Sequence, residues 1–174
     1  MDIKTVGVIG AGQMGNGIAH VMALAGYDVT LNDLSQDALT AALAKIEKNM
    51  VRQVSRNLIT EADMQAGLAR ISPALDVAAL GTADLVIESA TENEDIKNKI
   101  IEGIVPHLPE HTIITSNTSS ISITRLAART DRPEKFMGFH FMNPVPLMQL
   151  VELIRGIATD DETYQSCLAV VEKL

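Results

Sequence analysis

The residues of this chain best equipped for chemistry are His140 and Glu152, twelve positions apart. His140 stands in Phe136-Met137-Gly138-Phe139-His140-Phe141, where strand alternation puts Met137, Phe139 and Phe141 on one face and the imidazole on the other. Glu152 interrupts the apolar run Leu150-Val151-Glu152-Leu153-Ile154. A carboxylate buried alone in such a strand is strongly disfavoured, so it is expected to need a partner, and His140 is the obvious one; taken singly, His140 also fits a core histidine bonded to a carbonyl and Glu152 an edge-strand residue facing water. A carboxylate fixes the tautomer of the histidine it holds and stabilises the imidazolium formed when the ring takes a proton.

A second constellation lies at the other end of the chain. Gly10-Ala11-Gly12-Gln13-Met14-Gly15 fits G-x-G-x-x-G, and it follows the apolar run Thr5 to Ile9. After it, Ile18, Val21, Met22 and Ala25 recur at helical spacing. Strand, glycine turn and helix are the context in which this pattern receives the phosphates of a dinucleotide. Gly10 permits the tight turn, Gly12 removes the Cβ between backbone and pyrophosphate, and Gly15 lets helix approach strand. Asp33 follows Gly10 by twenty-three positions, the expected place for a carboxylate on the adenosine ribose. It would repel a 2′-phosphate, and no arginine occurs in Leu34-Ser35-Gln36, so the expected cofactor is NAD rather than NADP.

These residues need elements to carry them. Tyr27 to Asp33 reads as a second strand, with Gly26 closing the helix before it. Ser35 to Arg56 reads as a long helix with the stripe Leu39, Leu43, Ile46, Met50 and Val54, and a second helix opens at Thr60, where Asp63 completes a capping box. Further strands are expected at Ala83 to Glu88, Thr112 to Ser116, Lys135 to His140 and Gln149 to Ile154, with a helix from Asp95 to Val105 stopped by Pro106. The alternation predicts an α/β, Rossmann-type doubly wound and mostly parallel sheet of about seven or eight strands, with a helical pair inserted after the second strand. The last helix begins near Asp160 and is still apolar-periodic at Leu174, so a further domain is expected to follow.

At 174 residues the sequence has room for one domain, here 1–174 as the dinucleotide-binding unit. It is 47% hydrophobic and 21% charged, which excludes a disordered chain, and its formal charge of −8 disfavours a nucleic-acid partner. No apolar run approaches the roughly 18 residues of a membrane span. The single cysteine, Cys167, reads as helix core, no metal is expected, and the expected location is cytoplasmic.

Three segments carry a resemblance: Ser116-Asn117-Thr118-Ser119-Ser120, Gly138-Phe139-His140-Phe141-Met142-Asn143-Pro144-Val145-Pro146 and Leu150-Val151-Glu152. With the glycine fingerprint, the sequence resembles the 3-hydroxyacyl-CoA dehydrogenase family over essentially its whole length. The resemblance implies NAD-dependent oxidation of a short-chain 3-hydroxyacyl-CoA to the 3-ketoacyl-CoA, or the reverse, with His140 as base and Glu152 as its partner. It implies that Ser119 bonds the substrate hydroxyl near the nicotinamide, that Asn143 is a ligand of cofactor or substrate, and that Glu92 and Lys97 lie on the nicotinamide side. Ser119 also fits a turn or helix cap, and Glu92 and Lys97 also fit a capping segment and a solvated helix face. The family has a helical second domain, so this chain alone is expected either to turn over substrate or only to bind NAD, and the parent is expected to be a homodimer. A β-hydroxyacid dehydrogenase using a lysine base would share the glycines but not the placing of His140, Asn143 and Glu152.

Lys45, Lys48, Arg52 and Arg56 fall within roughly 80° of arc on the long helix, away from its apolar stripe. Such a ridge suits the phosphates of coenzyme A in an acidic protein, and it equally suits a solvated face. The resemblance places the CoA contacts on this helix, through Asn49 and Arg56, with Lys48 and Arg52 beside them.

Overall fold

In the computed structural model, which describes residues 1–174, a seven-stranded sheet has helices on both faces. The chain runs β1 (Thr5–Ile9), α1 (Gln13–Leu24), β2 (Asp28–Asn32), α2 (Gln36–Ser55), α3 (Glu61–Ala69) and β3 (Ile71–Ala74). It continues through β4 (Leu85–Glu88), α4 (Glu94–Ile104), β5 (Ile113–Ser116), α5 (Ile123–Ala127), β6 (Phe136–Phe141), β7 (Val151–Arg155) and α6 (Asp161–Val171). The strand order is β3-β2-β1-β4-β5-β6-β7, parallel throughout except that β7 returns antiparallel to β6. The order reverses between β1 and β4, the place where open α/β sheets bind ligands beyond the carboxyl ends of their strands.

Local sequence explains the element ends. The Ser35 hydroxyl accepts from the Ala38 N–H at the start of α2, and Thr60 and Asp63 form the reciprocal capping box of α3. Gly26 takes φ +94° after α1, a left-handed geometry that suits glycine. On one face of the sheet α1, α2 and α6 bury Ile18, Met22, Ile46, Met50 and Cys167 against Val8, Leu31 and Phe139. On the other, Ile101 and Leu126 meet Val86, Ile114 and Phe136. Complete burial of a side chain such as Phe139 contributes about 1.5–3 kcal/mol, so these two cores fix where the strand ends sit.

The structure departs from expectation in a few places. Strand β3 has no counterpart in the predicted list; Pro73 lowers its strand character, and the strand survives because it is an edge, where a missing N–H is tolerated. Helix α4 begins at Glu94 rather than Asp95, with Asn93 as its cap accepting from the Ile96 N–H. His20 is fully buried, with its Nε2 2.8 Å from Gln53 Oε1, so α1 and α2 are joined by a polar contact. No helix is long and apolar enough to cross a membrane.

Candidate active site

The glycine loop between β1 and α1 folds as its residue types require. Gly10 has φ +96°, and a Cβ there would meet the Ala90 backbone at 2.7 Å; at Gly15 a Cβ would fall inside the shell of the Gly10 carbonyl oxygen. At Gly12 a Cβ would touch nothing, because that Cα faces open space. No side chain caps the N-terminus of α1, so its first N–H groups remain available to an anion. Ala11 is different, since its N–H donates to Asp33 Oδ2 at 2.8 Å. Met14 packs its side chain against the larger core, leaving only its backbone at the loop.

Asp33 also accepts from the Ser35 N–H at 2.9 Å through Oδ1. Each of its oxygens keeps a further lone pair. Beside it opens a cavity of about 420 Å³, lined by Gly10, Asp33, Leu34, Ala90, Ile96 and Ile100 among others. Its walls are mostly apolar with one carboxylate at the edge, which suits an adenine and its ribose. Leu34, Ile96 and Ile100 were not singled out in the sequence; the spacing of Ile96 and Ile100 on α4 was the available signal.

The dyad forms by strand pairing. His140 stands directly opposite Glu152 in the β6–β7 register, and its Nδ1–H donates to Glu152 Oε2 at 2.8 Å. An ionised carboxylate only accepts, so the neutral ring carries its proton on Nδ1 and leaves the Nε2 lone pair free. The expectation that Glu152 is buried is corrected: its side chain is 51% exposed, against 19% for His140. Strand β7 is the sheet edge, and the pairing rests on register rather than on relief of burial. Ser119 and His140 line one hollow of about 170 Å³ with Thr118, Ser120 and Glu152.

Glu92, from the loop after β4, holds three residues of the segment that lines this hollow. Its Oε1 accepts from Thr118 Oγ1, Ser120 Oγ and the Ser119 N–H at 2.5, 3.1 and 3.2 Å. Partial burial pushes its pKa up, but these hydrogen bonds and nearby Lys97 outweigh it and hold the carboxyl below its ordinary value. Asn143, in the turn after β6, accepts from Gln13 Nε2 at 3.1 Å, which brings the start of α1 to the exit of the catalytic strand. Buried Asn117 accepts from the Phe141 N–H at 2.8 Å and sets the end of β6, a role the sequence reading missed.

Lys97 does not stand on a solvated helix face: it is fully buried and donates to Glu88 Oε2 at 2.6 Å. Glu88 was also missed, although it ends the apolar strand Leu85-Val86-Ile87-Glu88 much as Glu152 interrupts its own. On α2, Lys45, Lys48 and Arg52 are exposed, as is Arg56 at its carboxyl-terminal cap, and Asn49 is half-buried. None of the four cations has an ion-pair partner. A hollow of about 550 Å³, lined by Gln53, Leu58, Phe141, Val145 and Met148 among others, joins this helix to the turn that carries Asn143. Cys167 is inert core, its thiol pushed up to about 12 by burial.

The family description "3-hydroxyacyl-CoA dehydrogenase, NAD binding domain" matches residues 5–174. The chain belongs to this family. Its cofactor is NAD, which the open backbone at Gly12, the uncapped α1 and the cavity beside Asp33 fit. A 3-hydroxybutyryl-CoA dehydrogenase of Bradyrhizobium diazoefficiens is 59% identical over 172 residues, covering 99% of this chain and 59% of that protein. A probable 3-hydroxybutyryl-CoA dehydrogenase of Bacillus subtilis is 42% identical, covering 100% of this chain and 61% of its own length. The crystal structure of (S)-3-hydroxybutyryl-CoA dehydrogenase from Ralstonia eutropha superposes with a TM-score of 0.96 at 46% identity, covering 99% of this chain and 61% of that one. The chain thus spans about three fifths of the dehydrogenases it matches.

Proposed function

We propose that this chain is the cofactor-binding and proton-transferring part of an NAD-dependent dehydrogenase of short-chain 3-hydroxyacyl-CoA, with 3-hydroxybutyryl-CoA as the substrate type. The observation that carries the proposal is the His140–Glu152 pair in one hollow with Ser119, where the carboxyl end of β6 meets the amino end of antiparallel β7, on the side of the sheet to which β1 delivers the glycine loop. Gly10, Gly12, Gln13, Gly15 and Asp33 hold the dinucleotide, with Glu92, Ser119 and Asn143 toward its nicotinamide end. NAD, when bound, supplies the hydride acceptor. His140 Nε2 takes the proton of the substrate 3-hydroxyl, and Glu152 stabilises the resulting imidazolium. The Ser119 hydroxyl bonds the same substrate oxygen and orients it. The unpaired ridge of Lys48, Arg52 and Arg56, with Asn49, takes the CoA phosphates, and the hollow between α2 and the Asn143 turn is the route for the pantetheine arm.

The parent enzyme works in the cytoplasm as a homodimer whose second, helical domain completes the acyl pocket. A second reading, a module that binds NAD without turnover, is favoured for the isolated chain by its span of 59% of the Bradyrhizobium enzyme. One experiment addresses both: 3-hydroxybutyryl-CoA oxidation with NAD, followed on this chain and on the parent protein. In the parent, His140→Gln lowers kcat by about 10²–10⁴-fold, the usual contribution of a general base. Glu152→Gln lowers it as well, and the double variant loses far less than the product of the single losses, since both residues serve one proton transfer. Near-normal kcat in either single variant, or multiplying losses, overturns the dyad.

A further inference from the structure

Glu88 closes β4 in the middle of the sheet, with no exposed surface. Three elements converge on its carboxylate. Oε1 accepts from the Ala90 N–H at 2.8 Å; Oε2 accepts from Lys97 Nζ on α4 at 2.6 Å and from Ser116 Oγ on β5 at 2.7 Å. Lys97 is likewise fully buried.

A buried ion pair is weak evidence for stability, because well-packed apolar residues of similar volume usually do as well. What apolar side chains cannot do is accept three hydrogen bonds at once from a loop, a helix and a strand. The loop so held is 89–92. Its first residues form the wall facing the glycine turn, where a Cβ at Gly10 would meet Ala90 Cα at 2.7 Å and Ser89 O at 2.8 Å. Ala90 and Thr91 line the cavity beside Asp33. Its last residue, Glu92, reaches over to Thr118, Ser119 and Ser120, and Ser119 shares a hollow with His140.

We propose that Glu88 is a positioning residue: with Lys97 and Ser116 it clamps segment 89–92 in the shape that both walls the dinucleotide cleft and presents Glu92 to Ser119. It touches neither cofactor nor substrate and acts through the segment. The inference rests on the NAD-binding reading for its ligand, but the clamp itself has a ligand-free signature.

The test compares two double variants of this chain that both remove the buried ammonium. Glu88→Leu with Lys97→Met leaves no unpaired charge and no acceptor for Ala90; Glu88→Gln with Lys97→Met restores an oxygen that accepts the Ala90 N–H. Thermal melts establish folding, amide exchange reports the Ala90 N–H without ligand, and calorimetry reports NAD. In the leucine variant Ala90 exchanges faster and the Kd for NAD rises by about tenfold, as it would if the segment held its binding shape about a tenth of the time. The glutamine variant recovers most of both. Equal exchange and equal Kd in the two variants overturn the proposal. If the leucine variant does not fold, Ser116→Ala, which keeps both charges, decides: faster Ala90 exchange with weaker NAD binding supports the clamp, and neither change overturns it. Failure of the unaltered chain to bind NAD would instead indict the cofactor reading, with Ala90 exchange still judging the clamp.

Discussion

Two carboxylates at strand ends, Glu88 and Glu152, each accept from a basic side chain, at 2.6 Å from Lys97 and 2.8 Å from His140. The first pair is 0% exposed on both sides, while the second is 51% exposed at the glutamate and 19% at the histidine. Similar distances therefore support opposite uses. In the sealed pair neither charge can be spared, because water cannot replace a lost partner. In the open pair water screens the carboxylate, and the histidine keeps a free nitrogen facing a hollow. Burial, not hydrogen-bond length, separates framework from reactive group.

The comparison breaks if the two pairs respond alike to loss of one partner. Lys97→Met, which leaves Glu88 charged and buried, is expected to destabilise the chain by about 3–5 kcal/mol in urea unfolding, whereas Glu152→Gln changes stability by less than about 1 kcal/mol. Similar losses in the two variants would show that the edge pair is structural after all.

A third carboxylate sharpens the contrast from between the extremes. Asp33 is partly buried and fastens the glycine loop through Ala11 while lining the cavity. Asp33→Ala should weaken NAD binding by about 1–3 kcal/mol, the range for a hydrogen bond to a charged group. Calorimetry that returns unchanged affinity would confine Asp33 to loop architecture.

The smallest expected effect concerns the buried histidine. Burial lowers the pKa of His20, and the hydrogen bond to Gln53 only partly opposes this. The unfolded chain then binds more protons just below the ordinary value of 6.5, so stability is complete above that value and declines as pH falls toward the lowered folded value. His20→Leu should flatten that decline in urea titrations run from neutral pH downward through the ordinary value of 6.5. An unchanged slope would assign the decline to other groups.

Much of this was legible in the sequence because the signals are local. The glycine turn is specified by backbone geometry at Gly10 and Gly15, and the fifth to seventh strands by apolar runs with turn residues between them. The pairing of His140 with Glu152 was anticipated, though by an argument that supposed burial; the edge position of β7 supplies the actual reason. What stayed hidden depends on assembly. A glutamate at a strand end reads as solvated until α4 covers it, so Glu88 and the true partner of Lys97 emerge only when β4, α4 and β5 meet. The apolar walls at Leu34 and Ile96 stay 91% and 47% exposed even in the folded chain, and only the meeting of β2 and α4 places them beside Asp33.

The antiparallel return of β7 also sets what kinds of change the active centre can absorb over evolutionary time. Because His140 and Glu152 meet as cross-strand neighbours, displacing β7 by a single residue would turn the glutamate to the opposite face and send Leu153 or Val151 in its place. The connection 142–150 is less constrained beyond Val145, which is buried against Gly17; Leu147 and Leu150 are 70% and 57% exposed. Insertions and deletions there reshape the rim of the hollow beside α2, and those within 151–155 change the dyad itself.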